Sequence, residues 1–320
     1  MSKRKIIMDC DPGIDDAVAL AYAAANQDAL ELLAVTCVSG NQSIDKVTKN
    51  ALNLTEFYGL DVPVAKGMGE PLVRKSVFAS DIHGKNGIGE CELPQAKKQA
   101  ESQHAVFYLR DLLMNAEEKI TLICTGPMTN IALLFKMFPE VKEHIEEIVF
   151  MGGAARGGNV TPCAEFNVYV DPEAAKIVFD SGVPLVMCGL DVTWKCNLDR
   201  KQVLKLCQSG NPVAKVCGEM VGFSIENSDN KYRGKACMHD VVPLMYLLHP
   251  EIFKYERTIL DVDCSDNVSR GTMMCDFRWW KHEKEEMCDL MLVDVEESKF
   301  QEYLILALYE LGEALKQNAH

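Results

Sequence analysis

The sequence predicts an α/β fold: a single domain, residues 1–320, with a mainly parallel central sheet flanked by helices. Short apolar runs recur at residues 5–8, 32–38, 120–124, 148–151 and 184–188. Helix-like segments separate most of them, the alternation that a parallel sheet requires. No internal repeat, low-complexity tract or Pro/Gly-rich linker divides the chain. Its 320 residues, 48% hydrophobic and 25% charged, are enough for one large core.

Each element has its own signal. Helices are expected after Gly13, after Ser43, near Gln103, after Pro127 and after Pro172. Two of these starts, Ser43-Ile44-Asp45 and Asp171-Pro172-Glu173, carry an N-cap residue, and the second adds Pro in the first turn. Residues 199–250 read as helical. Hairpin-like strands follow near 258–262, 271–276 and 290–295, and a helix from Glu297 closes the chain.

Composition narrows the function. A formal net charge of -14 opposes binding to nucleic acid, whose phosphates are held by clustered Lys and Arg. Small neutral substrates suit it better. The apolar run after Met1-Ser2-Lys3-Arg4-Lys5 is too short for a signal-peptide core, and no later stretch reaches transmembrane length. A cytoplasmic protein with no membrane partner is expected. Thirteen cysteines, scattered from Cys10 to Cys288 without a C-x-x-C pair, indicate neither a disulfide framework nor a zinc ribbon. Those in apolar runs, such as Cys37 and Cys188, read as small hydrophobes.

The densest chemistry is Asp9-Cys10-Asp11-Pro12-Gly13-Ile14-Asp15-Asp16, directly after Ile6-Ile7-Met8. Four carboxylates within eight residues raise one another's pKa unless a cation or hydrogen-bond donors neutralise them. A solvated acidic turn is the plainer reading, but a buried strand end bearing a Pro-Gly turn favours a site. Oxygen ligands select a hard cation, Ca²⁺ or Mg²⁺, over zinc. Asp11 and Asp16 are placed to reach one ion from opposite sides. Thr125-Gly126-Pro127-Met128-Thr129-Asn130 is a strand-to-helix turn whose carbonyls face the same rim, or simply a helix start.

Met238-His239-Asp240 opens an apolar helix pattern, and two readings stand: Asp240 caps that helix, or it is a further ligand of the cation. In the second, His239 points into the pocket as an acid or hydrogen-bond donor. The Gly-rich loop at 151–159 lacks a phosphate-binding signature. Its polar trio with the next segment, Asn159, Glu165 and Asn167, suits a polyhydroxylated ligand, since Glu165 would repel phosphate. His83 lies in a long polar loop of the kind that forms lids or is merely exposed. Trp279-Trp280 reads as surface or interface, whereas Trp194, beyond another strand end, lies nearer the pocket. Most of these motifs follow predicted strands, the place where open α/β sheets gather ligands, so they point to one site.

The ordered set Asp9-Cys10-Asp11-Pro12-Gly13-Ile14-Asp15-Asp16, Gly40-Asn41-Gln42, Thr125-Gly126-Pro127-Met128-Thr129-Asn130, Glu165-Phe166-Asn167 and His239-Asp240 closely resembles the inosine-uridine preferring nucleoside hydrolases. The resemblance runs from Lys5 to the C-terminal helix. It implies a single α/β domain, a homodimer or homotetramer, Ca²⁺ as cofactor and a small-molecule ribonucleoside as substrate. Carried over by position, Asp11, Asp16, Asp240 and the carbonyl of Thr125 would hold calcium, and Asp11 would deprotonate water. Asp15, Asn41, Asn167 and Asp240 would hold the ribose 2′- and 3′-hydroxyls. Asn159 and Glu165 would bind the 5′-hydroxyl, with Met151 and Phe166 in the sugar pocket. His239, or His83 if its loop closes, would serve the leaving base, and this pair is similar to that of broad or pyrimidine-preferring members. A modified nucleoside such as queuosine is an alternative substrate.

Two other classes compete. The strand ending Asp9-x-Asp11 is similar to haloacid-dehalogenase-like phosphatases, but the Pro12-Gly13 turn and Asp15-Asp16 do not fit them. A non-catalytic calcium- or sugar-binding protein is the other. An EF-hand is excluded, because Leu20 stands where its loop needs Glu.

Overall fold

The computed structural model describes residues 3–227, 230–283 and 289–318. The chain opens with β1 (Arg4–Cys10), α1 (Ile14–Ala25), β2 (Leu30–Cys37), α2 (Ile44–Phe57) and β3 (Val64–Lys66). A long segment bearing the one-turn helix α3 (Ser80–His83) leads to α4 (Ala105–Met114), β4 (Ile120–Cys124), α5 (Thr129–Met137) and β5 (Ile145–Met151). Next come α6 (Phe166–Val170), α7 (Pro172–Phe179), β6 (Leu185–Cys188), α8 (Leu190–Thr193), β7 (Asn197–Asp199) and α9 (Arg200–Gln208). The chain continues through α10 (Pro212–Asn227), α11 (Asn230–Arg233), β8 (Lys235–Cys237) and α12 (Val241–Leu248). It ends with β9 (Phe253–Val262), β10 (Met273–Asp276), β11 (Asp289–Val295) and α13 (Glu297–Asn318).

Nine strands of the described residues form one sheet in the order β10-β9-β11-β6-β5-β4-β1-β2-β3. Every pairing from β11 through to β3 is parallel, and β9 and β10 add an antiparallel edge. The strands expected near 258–262, 271–276 and 290–295 are present: β9 and β10 pair as an antiparallel hairpin, and β11 joins β9 to β6 in the main sheet. The short β3 and the small β7–β8 ladder interrupt segments that read as loop or helix.

Burial follows from the sequence. In β1, Ile6, Met8 and Cys10 join the core on one face of the sheet while Ile7 joins the other, as a period of two dictates. Helices α1, α2, α10, α12 and α13 cover the first face, and α4, α5 and α7 the second. Helix α1 is Ala-rich and buried from Ile14 to Ala24, so the two carboxylates in its first turn, Asp15 and Asp16, are carried inside with it. Helix α13 buries Phe300, Leu304, Leu308 and Leu311, spaced along one face. The described cysteines are free thiols; Cys288 lies outside the described residues. Trp279 and Trp280 are exposed, as a surface reading expects, and pack edge to face with their centroids 5.8 Å apart. No helix of the described residues is long and apolar enough to cross a membrane.

Phe300 anchors α13 with none of its surface exposed. Phe300→Ala should cost about 3–5 kcal/mol of folding stability, read as a lower urea midpoint.

Candidate active site

The order in which successive strands are added reverses between β1 and β4, and a ligand crevice is expected beyond the carboxyl ends at that point. The motifs gather there. Asp11 follows β1, Asn41 follows β2, Thr125 follows β4, and Met151 ends β5. A cavity of about 470 Å³ opens above them. Asp15, Asn41, Thr125, Asn167 and Asp240 line its polar side together with Asn159 and Glu165. Met151, Phe166, His83 and His239 complete the predicted set. Asp11 and Asp16 are fully buried behind this lining.

The carboxylates are held by short local bonds. Asp11 Oδ2 accepts from the Asn41 amide at 2.6 Å, and Asn41 Nδ2 donates to the Asp11 carbonyl at 3.2 Å. Asp16 Oδ2 accepts from the Gly13 amide at 2.9 Å, closing the start of α1, while Thr125 Oγ1 donates to its Oδ1 at 2.7 Å. A Cβ on Gly126 would come within 2.9 Å of Asp11 Oδ1, and one on Gly40 would strike the same carboxylate. Only glycine lets these loops approach so closely. Asp240 occupies the N-cap position of α12 but makes no side-chain cap bond, and it faces Asp15 and Asp16 instead. Asp9 turns away: Thr36 Oγ1 and Asn130 Nδ2 donate to its Oδ1 at 2.5 and 2.8 Å, which makes it a tie between strands.

Electrostatics sets the cluster apart. Burial, followed by the charge of Asp16, pushes Asp11 well above the usual carboxylate range. Burial and the neighbouring Asp15, Asp16 and Asp11 do the same to Asp240. Asp15 is raised to about 7 by burial and Asp16, and Asp16 itself is raised mainly by burial. Carboxylates this disfavoured in ionised form either keep protons or share a cation. Ligand oxygens of Asp15, Asp16 and Asp240 lie within 4.8 Å of one another. Asp11 Oδ1 is buried without a hydrogen-bond partner. An all-oxygen set with an orphaned carboxylate oxygen fits a hard cation. The structure thus adds Asp15 to the close group, with Asp11 beside it. The Thr125 carbonyl accepts from Asn167 Nδ2 at 2.8 Å and keeps one lone pair.

Glu165 is buried and raised to about 7 by that burial, although its oxygens accept from the amides of Gly153 and Asn167 at 2.8 and 3.0 Å. Asn159 is exposed at the rim, and its Oδ1 accepts from the Phe166 amide at 2.9 Å.

His83 is buried despite its polar loop: its Nδ1 accepts from the Ile14 amide at 3.0 Å, and Gln42 Nε2 donates to Ser80 Oγ at 2.8 Å and to the Gly84 carbonyl at 2.9 Å. His239 is half-buried, with Nδ1 2.7 Å from Thr193 Oγ1. Burial lowers both imidazoles to about 4, aided by His239 at His83 and by Arg233 at His239, so both are neutral at pH 7. Sequence reasoning assigns no role to Thr193 or Arg233. Arg233 is the only Lys or Arg among the described lining residues, and its guanidinium stands 5.7 Å from the ring centroid of Trp194, which also lines the cavity.

The family model for inosine-uridine preferring nucleoside hydrolases matches residues 6–302. The chain belongs to that family. It is 41% identical over 277 residues to the pyrimidine-specific ribonucleoside hydrolase RihB of Escherichia coli O9:H4 (strain HS), covering 86% of this chain and 88% of that one. Among solved structures, a purine-preferring ribonucleoside hydrolase from Gardnerella vaginalis superposes with a TM-score of 0.90 at 30% identity, over 97% of this chain and all of the other (100%). The plant nucleoside hydrolase PpNRh1 gives 0.89 at 28% identity, over 96% and 99%. This nucleoside hydrolase is thus an N-glycosidase acting on a small-molecule nucleoside, and the phosphatase and queuosine alternatives are not favoured.

A cation held by this cluster, whose members come together only in the folded chain, would stabilise the native state. Added calcium should therefore raise the thermal midpoint, and a chelator should lower it; at about 100 times the Kd the stabilisation is roughly 2.7 kcal/mol. Asp240→Asn should blunt that response in a thermal scan with and without calcium.

Proposed function

We propose that the enzyme carries out calcium-dependent hydrolysis of ribonucleosides to free base and ribose, with pyrimidine ribonucleosides preferred. The observation that carries the reading is the lining of one cavity: carboxylates of the buried cluster and two neutral imidazoles open onto the same space. N-glycosidic cleavage places positive charge on the ribose ring and negative charge on the base. The carboxylates favour the first and the imidazoles the second.

Asp11, Asp15, Asp16 and Asp240, with the Thr125 carbonyl, would hold Ca²⁺, which lowers the pKa of a water and orients it. Asp11 has one buried oxygen without a partner and takes the proton as the water oxygen bonds to C1′ and the C1′–N bond breaks. Asp15, Asn41 and Asn167 engage the ribose hydroxyls, and Asn159 and Glu165 engage the 5′ end. The departing base leaves with the bonding electrons and meets a hydrogen-bond donor at His239 or His83. The pyrimidine preference is supported by the 41% identity to RihB, named as pyrimidine-specific, and by hydrogen-bonding imidazoles at the base end.

The deciding assay measures free base and reducing sugar from a panel of purine, pyrimidine and modified ribonucleosides, queuosine included, with phosphate absent and with or without chelation. Fastest release from uridine or cytidine, lost on chelation, is expected; activity that survives complete metal removal overturns the calcium reading. Asp11→Ala should abolish turnover while leaving the circular-dichroism spectrum intact, and a near-wild-type rate would remove Asp11 as the base. His239→Ala should slow natural nucleosides by about 10²-fold or more and spare a nitrophenyl riboside, whose leaving group needs no help.

A further inference from the structure

We propose that Thr193 is a positioning residue: its hydroxyl donates to His239 Nδ1 and so fixes the imidazole as the tautomer that carries its proton on Nε2, facing the cavity. Hydrogen-bond accounting supports this. Thr193 is fully buried, and among the described residues the 2.7 Å contact to His239 Nδ1 is the one hydrogen bond of its Oγ1. If Nδ1 carried the proton and donated, the hydroxyl hydrogen would be buried without an acceptor, a cost that native structures avoid. If the hydroxyl donates, both partners are satisfied. Nε2 is then the ring's remaining polar atom, and His239 lines the cavity.

An independent contact gives the same polarity at the second imidazole. His83 Nδ1 faces the backbone amide of Ile14, which can only donate, so the neutral ring of His83 also carries its proton on Nε2. The two imidazoles come from α3 and from the turn before α12, yet each has its Nδ1 occupied by a donor. The fold supports the Thr193 arrangement. Helix α8 follows β6 directly, and the Leu190 amide donates to the Gly153 carbonyl at 2.9 Å, fixing α8 against the loop after β5. Met238 donates its amide to the Cys196 carbonyl at 2.7 Å, fixing the turn that carries His239 beside α8. Thr193 thus acts through His239 and does not itself line the cavity.

The inference rests on His239 serving the leaving base, and the test separates the two. Thr193→Val keeps the shape and removes the hydroxyl; Thr193→Ser keeps the hydroxyl. In calcium-loaded, ¹⁵N-histidine-labelled enzyme, with the His239 signals assigned by their loss in His239→Ala, wild type and Thr193→Ser should show His239 protonated on Nε2, and Thr193→Val should show tautomer exchange. Thr193→Val should lower kcat on uridine by roughly five- to tenfold, the worth of one neutral hydrogen bond. KM, turnover of the nitrophenyl riboside and the His83 signals should hold, and the valine should have no further effect in a His239→Ala background. An unchanged His239 tautomer in Thr193→Val, or a proton on Nδ1 in wild type, overturns the inference and leaves the role of His239 standing. Equal losses on both substrates in His239→Ala overturn both.

Discussion

Four carboxylates, Asp11, Asp15, Asp16 and Asp240, are buried together at the carboxyl end of the sheet, and the surrounding structure is built around the electrostatic cost of keeping them there. Burial of a single ionised carboxylate is costly, and each neighbour of like charge adds to it. The chain offsets part of that cost with donors from every adjoining loop: the Gly13 and Asn41 amides, the Thr125 hydroxyl and the Asn41 side-chain amide. What these donors leave unmet is a demand that a bound metal ion would meet. The glycines at 40 and 126 belong to the same solution, because they let the donor-bearing loops close on Asp11.

The aspartates near the strand ends show how placement, and not residue type, assigns the task. Asp9, two residues before Asp11, is bonded away from the cluster and joins β1, β2 and α5 through Thr36 and Asn130. Asp171 accepts from the Ala174 amide to start α7 and from Thr129 Oγ1 to hold α5 beside it. Asp240 sits where a cap would sit and caps nothing. Asp16 does both jobs at once, closing the first turn of α1 while facing the cluster. The helix start is therefore part of the site, and loss of either would disturb the other.

Much of this was legible in the chain because the signals are local. Buried parallel strands such as Ile120–Cys124 are continuous apolar runs, and β1 passes directly into its acidic turn. The three-residue strands Val64–Lys66, Asn197–Asp199 and Lys235–Cys237 are too short to show a period, and neighbours alone make them strands. His83 reads as a loop residue because its burial depends on an amide 69 positions away. Thr193 and Arg233 meet His239 and Trp194 through contacts 46 and 39 residues distant, and neither contact leaves a periodic or compositional trace. The acidic motif could be read by itself; the contacts around the two imidazoles required the fold.

The acidic cluster and the two imidazoles follow one electrostatic logic. Near a buried acidic cluster, a protonated imidazole would form an ion pair with the carboxylates and offset their charge. Burial keeps His83 and His239 neutral, so neither ring carries a charge that would offset the carboxylates. Arg233 adds the positive charge that neutral rings lack, and it does so from the cavity wall over Trp194, where it also disfavours a second cation at His239. In the proposed binding mode, with the sugar over the carboxylates and the base beside Arg233, the resulting field would have the same sense as the dipole that grows when a glycosidic bond breaks. A field fixed by packing in advance needs no reorganisation as the bond stretches, and this is how electrostatic preorganisation lowers a barrier.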